Sequence, residues 1–316
     1  MKGARLIALA SMDGTQSECS CKNAIPSEHD RLLEEFGTLR SKCPAIEKIL
    51  VPDWDEFRNW DTQLEENPAS HRSTLLLAFE RGHLNKITSQ IHRFLMESGE
   101  PKTQLTQQYR QDLKERWMLE QDVLERHHKY RIFMGKLVEL QCAEWLYNQH
   151  WRIDNLEALG GDADIEATSP DGKESAFEVK YIGQEDWDFK DIVESIQGVG
   201  KGRAISIPVA ANWILFKVYT AANQIQKLPK SLYALLVIDD LTWPRFRFVL
   251  ENNYIFWKSP RFDNADPAWS RFLAEQKKHY PDIENDMART LRILTGLWIL
   301  KMEGGFHYSK QFSFSF

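Results

Sequence analysis

Two alternating segments joined by Pro170-Asp171-Gly172 constrain this chain more than any other feature. Residues 162–168 and 174–182 have the period of two expected of β-strands. Proline presets φ at the first turn position, aspartate suits the second, and glycine takes the left-handed position that closes a three-residue hairpin loop with a bulge. Such a loop sets Ser169 opposite Lys173. Pairing then runs outward to place Asp164 opposite Glu178 and Asp162 opposite Lys180, and opposed residues share a face. A two-residue loop would instead put Asp164 beside Val179. The length of the turn therefore decides whether three acids and a lysine meet on one side of the ribbon.

Carboxylates whose Cβ atoms lie about 5 Å apart repel unless a cation separates them. Hard oxygen donors with open positions suit Mg²⁺ or Mn²⁺. A lysine two residues along can orient or help deprotonate a water, or neutralise charge on a phosphoryl group. The competing reading is a solvent-facing hairpin laced with cross-strand ion pairs, and the charges alone leave both open.

The chain has 316 residues, enough for one large domain or two smaller ones, and its 42% apolar and 12% aromatic content supports a packed core. With a net charge of −6, any nucleic-acid contact must come from a local basic patch. Cys19, Cys21 and His29 match no common zinc spacing, and the four cysteines read as free thiols in a reducing cytosol. The opening MKGARLIALASMDG is too short in its apolar run for a signal peptide, and no stretch approaches the roughly 20 apolar residues of a membrane span. A cytoplasmic protein without a membrane partner is expected.

Four regions follow from the patterning. Residues 1–28 read as a loose leader, and 29–129 as a helical region without nameable chemistry, suited to a homodimer or a protein partner. Residues 130–260 read as an α/β core, and 261–316 as C-terminal helices packing on it. A proline-free helical region runs from about Thr103 into the core and ends at about Gln149, with a kink expected near Gly135. Strands are expected at WRIDNLEAL and at the two arms of the hairpin. A helix over 209–226 and a buried strand at SLYALLVIDD come next, and FRFVLENNYIFW reads as a further strand or hairpin. DIENDMARTLRILTGLWILKMEG reads as helix.

The order of these motifs resembles the PD-(D/E)XK, or restriction-endonuclease-like, nuclease superfamily. The resemblance spans about residues 130–240 and rests on Asp164 at the start of one strand and Glu178-Val179-Lys180 on the next, with Ala163 standing where the name-giving proline would be. It implies a mixed sheet flanked by helices, here with an added helical N-terminal region. It also implies Mg²⁺-dependent phosphodiester hydrolysis. Asp164, Glu178 and the backbone carbonyl of Val179 would hold the metal, while Lys180 positions the attacking water. Family members also place a glutamate on the helix before the sheet. Glu139, on a face with Gly135, Cys142, Ala143 and Leu146, is the candidate for a second metal or its water shell. Glu144, on a face that reads as more polar, is its rival. Asp162 could join the metal or pair with Lys180. Some relatives carry a glutamine and a tyrosine on the following helix. Gln224 stands at the first place and Leu228 at the second, so Gln224 reads more simply as a surface residue.

Substrate contacts need positive charge near this acidic centre. Residues 190–230 hold Lys190, Lys201, Arg203, Lys217, Lys227 and Lys230 against Asp191 and Glu194. Lys201 and Arg203, in the glycine-rich GVGKGRAIS, are the candidate substrate-binding pair. ERHHKYR is a second basic group, which reads equally as a solvated helix face. WPRFRF and WKSPRF mix arginine with aromatics in a way that suits single-strand stacking or core. The expected partner is nucleic acid, DNA rather than RNA, in a restriction, defence or repair setting. The alternative is a catalytically silent nucleic-acid-binding or protein-interaction module of the same fold.

Overall fold

The computed structural model describes residues 28–43, 47, 51, 53–55, 57–58, 76, 79, 123–157, 162–183, 207–239, 242–252, 254–255, 257, 259–302 and 306–313. Their elements, in chain order, are helices α1 (Glu28–Lys42) and α2 (Val123–Asn148), strands β1 (Arg152–Leu156), β2 (Ile165–Thr168) and β3 (Glu174–Ile182), helix α3 (Ile207–Ile225), strand β4 (Ser231–Asp239), helices α4 (Trp243–Glu251), α5 (Pro267–Gln276) and α6 (Ile283–Arg292), and strands β5 (Gly296–Met302) and β6 (Phe306–Ser313). The six strands form one mixed sheet in the order of the chain. β1, β2 and β3 are antiparallel neighbours, β3, β4 and β5 run parallel, and β6 closes the far side antiparallel to β5.

The hairpin register follows from its turn. Ile165 pairs with Phe177, Glu166 with Ala176, Ala167 with Ser175 and Thr168 with Glu174. The Ser169 amide donates to the Lys173 carbonyl at 2.9 Å, and Gly172 sits at φ 84°. This is the three-residue loop that the Pro-Asp-Gly sequence demands.

Helices cover both faces of the sheet. On one side Leu137 and Val138 of α2 join Ile165, Phe177, Val179 and Leu235 of the sheet in one core, to which Leu33 and Phe36 of α1 also belong. On the other, α3 to α6 pack Trp213, Phe246, Trp269 and Met287 against Ala176 of β3, Leu232, Ala234 and Leu236 of β4, and Ile299 of β5. Because both faces are covered, β4 and β5 read as near-continuous apolar runs, whereas β3 carries Glu178 and Lys180 among its apolar residues.

A group of rings fastens the end of α2 to the sheet. Phe177, Tyr233 and Trp298, from β3, β4 and β5, lie nearly parallel, with Tyr233 and Trp298 5.0 Å apart, and Trp151 meets all three edge-on. Trp151 is aimed there by the end of α2. The His150 amide donates to the Tyr147 carbonyl and the Trp151 amide to Leu146, with His150 left-handed at φ 66°. This is the Schellman ending of a helix, with histidine where glycine is favoured.

Several expectations are corrected here. FRFVLENNYIFW is not a strand: α4 starts with Pro244 in its first turn and buries Phe246, Val249 and Leu250 at helical spacing, leaving Phe248 exposed. The Arg-Phe alternation imitates a strand only locally. The last residues are not all helix, because α6 ends at Arg292 and Gly296–Met302 forms β5, which is buried on both faces. A short apolar run does not by itself distinguish a buried strand from a buried helix. The C-terminal region thus adds two strands to the sheet as well as α5 and α6. Gly135 lies within continuous α2. The leader up to residue 27, and the part of the expected 103–149 helix before Val123, lie outside the described residues. No helix among the described residues is long and apolar enough to cross a membrane.

Two backbone substitutions test this local geometry. Gly172→Ala is expected to destabilise the chain by about 1 kcal/mol, and His150→Gly to stabilise it by about as much, because only the glycine tolerates positive φ without strain. Urea unfolding of both variants measures this, and unchanged midpoints would contradict the two turn assignments.

Candidate metal centre

The site forms where the β2–β3 ladder stops. Beyond the Ile165–Phe177 pair, the side chain of Asp164 replaces the next rung: its Oδ2 accepts the Val179 amide at 2.7 Å. The Asp164 carbonyl in turn accepts the Glu157 amide at 3.2 Å, which ties the end of β1 to the same point. Asp164 is 6% exposed and Glu178 3%. Their carboxyl groups lie within hydrogen-bonding reach of each other. Lys180 donates to Glu178 Oε1 at 2.7 Å.

Glu139 reaches this point from α2. It is 8% exposed, and carboxylate oxygens of Glu139, Glu157 and Asp164 all lie within 4.8 Å of one another. Lys136, one turn earlier on α2, donates to Glu139 Oε2 at 2.7 Å and to Glu157 Oε2 at 2.8 Å. Four carboxyl groups against two ammonium groups leave two negative charges when all are ionised, the charge one divalent cation would balance. The donors are all hard oxygens, as Mg²⁺ or Mn²⁺ requires.

Protonation reflects this crowding. Burial pushes the Glu139 carboxyl up to about 8, and the charge of Asp164 adds to it despite Lys136. Burial likewise raises Glu178 to about 7, with Lys180 opposing and Asp164 reinforcing. Asp164 is raised by burial too, although Lys180 and the Val179 amide favour its anion. Burial works against the charge of Lys180 and of Lys136, yet the adjacent carboxylates outweigh it and raise both. The neighbouring Cys142 thiol is pushed up by burial and by Glu139, which makes it a poor nucleophile.

The structure brings together Glu139, Asp164, Glu178 and Lys180 from the sequence reading, with Val179 contributing its amide to Asp164. Asp162 is exposed, and Lys180 pairs with Glu178 rather than with it. The Asp162 amide donates to Glu166 Oε1, and Glu166 also pairs with Lys230. Lys230 is therefore engaged with an acid of β2. Glu144 does not lie on a polar surface, since it and Gln141 are both buried. Lys201 and Arg203 lie outside the described residues, as do the side chains of the ERHHKYR group and Cys19 and Cys21.

Glu157 and Lys136 are absent from the sequence reading. Lys136 carried a usable signal, a lysine three residues before a glutamate on one helix. Glu157 carried none, because its approach depends on the β1–β2 pairing, which shifts register between Ile153 and Asn155.

No family model, curated protein or solved structure matches this chain.

The raised carboxyls predict a pH dependence with a definite sign. An acid held above its usual value of 4.5 keeps protons in the folded chain that the unfolded chain has lost. In EDTA, stability is expected to fall as pH rises from about 4.5 towards about 8. Mg²⁺ should stabilise more at the upper end of that window, where fewer protons must be displaced. Thermal melts at both ends with and without Mg²⁺ measure this. Glu139→Gln should shrink the fall, and a larger Mg²⁺ effect at the acidic end would contradict the assignment.

Proposed function

We propose that this chain is a Mg²⁺-dependent nuclease with a restriction-endonuclease-like core, acting on DNA rather than RNA. The run from α2 through β1, β2, β3 and α3 to β4, with three antiparallel strands and the fourth parallel to the third, supports the fold reading. The observation that carries the function is the gathering of carboxylate oxygens of Glu139, Glu157 and Asp164 within 4.8 Å of one another, with Glu178 beside Asp164 and paired with the Lys180 ammonium.

Asp164, Glu178 and Glu139 would hold Mg²⁺, with Glu157 within reach of the same position. The bound ion would supply Lewis-acid polarisation of the scissile phosphate and a lowered pKa for a water. Lys180 orients that water and balances negative charge that builds on the phosphoryl oxygens. Its pair with Glu178 holds the ammonium at the site and keeps it protonated. Lys136 offsets one of the two charges of Glu139 and Glu157, so the acids repel a phosphodiester less strongly. The Val179 amide fixes the Asp164 carboxylate, which reduces the reorganisation needed when an ion binds.

The test is a cleavage assay of the full chain on duplex DNA, single-stranded DNA and RNA, with Mg²⁺, Mn²⁺ or EDTA. Asp164→Ala and Lys180→Met are each expected to lower kcat by about 10²-fold or more, and EDTA to abolish cleavage. Activity that survives in both variants would remove this assignment. Nucleic-acid binding that is insensitive to Lys180→Met, with no cleavage under any condition, would favour a catalytically silent module.

A further inference from the structure

An open cleft of about 360 Å³ adjoins the centre on the α3 side. Lys180 and Val179 form its inner end. Lys217, Thr220 and Gln224 of α3 form one wall, at helical spacings of three and four that align them as a stripe. Gln276, at the end of α5, and Tyr280 just beyond it line the cleft as well, as do Gly135 of α2 and Tyr181 of β3. None of the described lining residues is acidic, although the chain as a whole is negative.

Lys217 is held in place rather than loosely solvated. Its Nζ lies 4.6 Å from the centroid of the Trp213 ring, one turn earlier, and its carbonyl accepts the Thr220 hydroxyl at 2.9 Å. Tyr280 is braced edge-on against Phe216 and Tyr219. The cleft therefore has a positioned ammonium, two amide side chains and a phenol, beginning at the lysine of the metal centre. These groups match a phosphodiester backbone, whose oxygens accept from ammonium and amide donors.

We infer that this cleft seats the nucleic-acid backbone next to the scissile phosphate, with Lys217 contacting a flanking phosphate and Gln276 lining the same cleft. The inference rests on the nuclease reading of the neighbouring centre. It also assigns a role to α5, which lies outside the run from α2 to β4: that helix supplies Gln276 to the cleft. Gln224, exposed as a surface residue should be, nonetheless lines the same cleft.

The experiment uses the full chain with labelled single-stranded and duplex DNA oligonucleotides. Binding is measured across a salt series in Glu178→Gln protein with Mg²⁺, and cleavage kinetics in otherwise unaltered protein. Lys217→Met keeps the aliphatic stem over Trp213 and removes the charge. It should weaken binding about five- to tenfold and reduce the salt slope by about one contact, with the kinetic loss in KM more than in kcat. Lys217→Arg should restore the slope, and Gln276→Ala should weaken binding without changing it. A Lys217 effect in either oligonucleotide arm supports the cleft and identifies the form that uses it. Unchanged slope and KM in Lys217→Met, with cleavage intact, would overturn the cleft and leave the nuclease reading standing. A Lys217-dependent slope without cleavage would do the reverse, and no binding at all would remove both.

Discussion

The hydrogen bond from the Val179 amide to the Asp164 carboxylate is the constraint on which the site depends. Backbone pairing between β2 and β3 ends at Ile165, and a carboxylate takes the donor that the ladder would otherwise leave over. A buried amide needs an acceptor, so Asp164 is held by the sheet itself rather than by solvent. Its position then sets where Glu178, Glu157 and Glu139 can approach. Helix α2 and β1 supply the last two from one face, while Glu178 and Lys180 alternate onto the other face of β3 with Ala176 and Ile182.

That arrangement concentrates charge at low accessibility, which would be costly for unpaired groups. Lys136 and Lys180 offset part of the cost, each through a hydrogen-bonded ion pair at 2.7 Å. The remainder is expressed as raised carboxyl pKa values, which is to say as protons that a cation would displace. The fold around the centre is stiff: rings from β3, β4 and β5 stack beneath Trp151, and helices cover both faces of the sheet. Helix α2 and strand β3 carry Glu139, Glu178 and Lys180, while Asp164 and Glu157 lie just beyond strand ends and are tied there by backbone hydrogen bonds.

The core and its acidic hairpin were legible where local chemistry is decisive. The Pro-Asp-Gly turn admits few registers, and its register brings Asp164 and Glu178 together. The α3 helix and β4 strand were legible because long apolar patterns differ in period. Legibility failed in α4, where Arg-Phe alternation imitates a strand, and in β5, where seven residues of a doubly buried strand read as the tail of α6. It failed also for Glu144, because a face with polar residues can still be covered by packing.

By itself, the sequence determined the hairpin register, the acids it opposes and the lysine two residues along, since these follow from turn geometry and the two-residue period of a strand. Only the tertiary structure decided that Glu157 and Lys136 join them, that Asp162 and Lys230 do not, and that Gln276 and Lys217 line one cleft. Those pairings bridge separations from 21 to more than 50 residues, and long-range proximity is set by how whole elements pack, which no local pattern encodes.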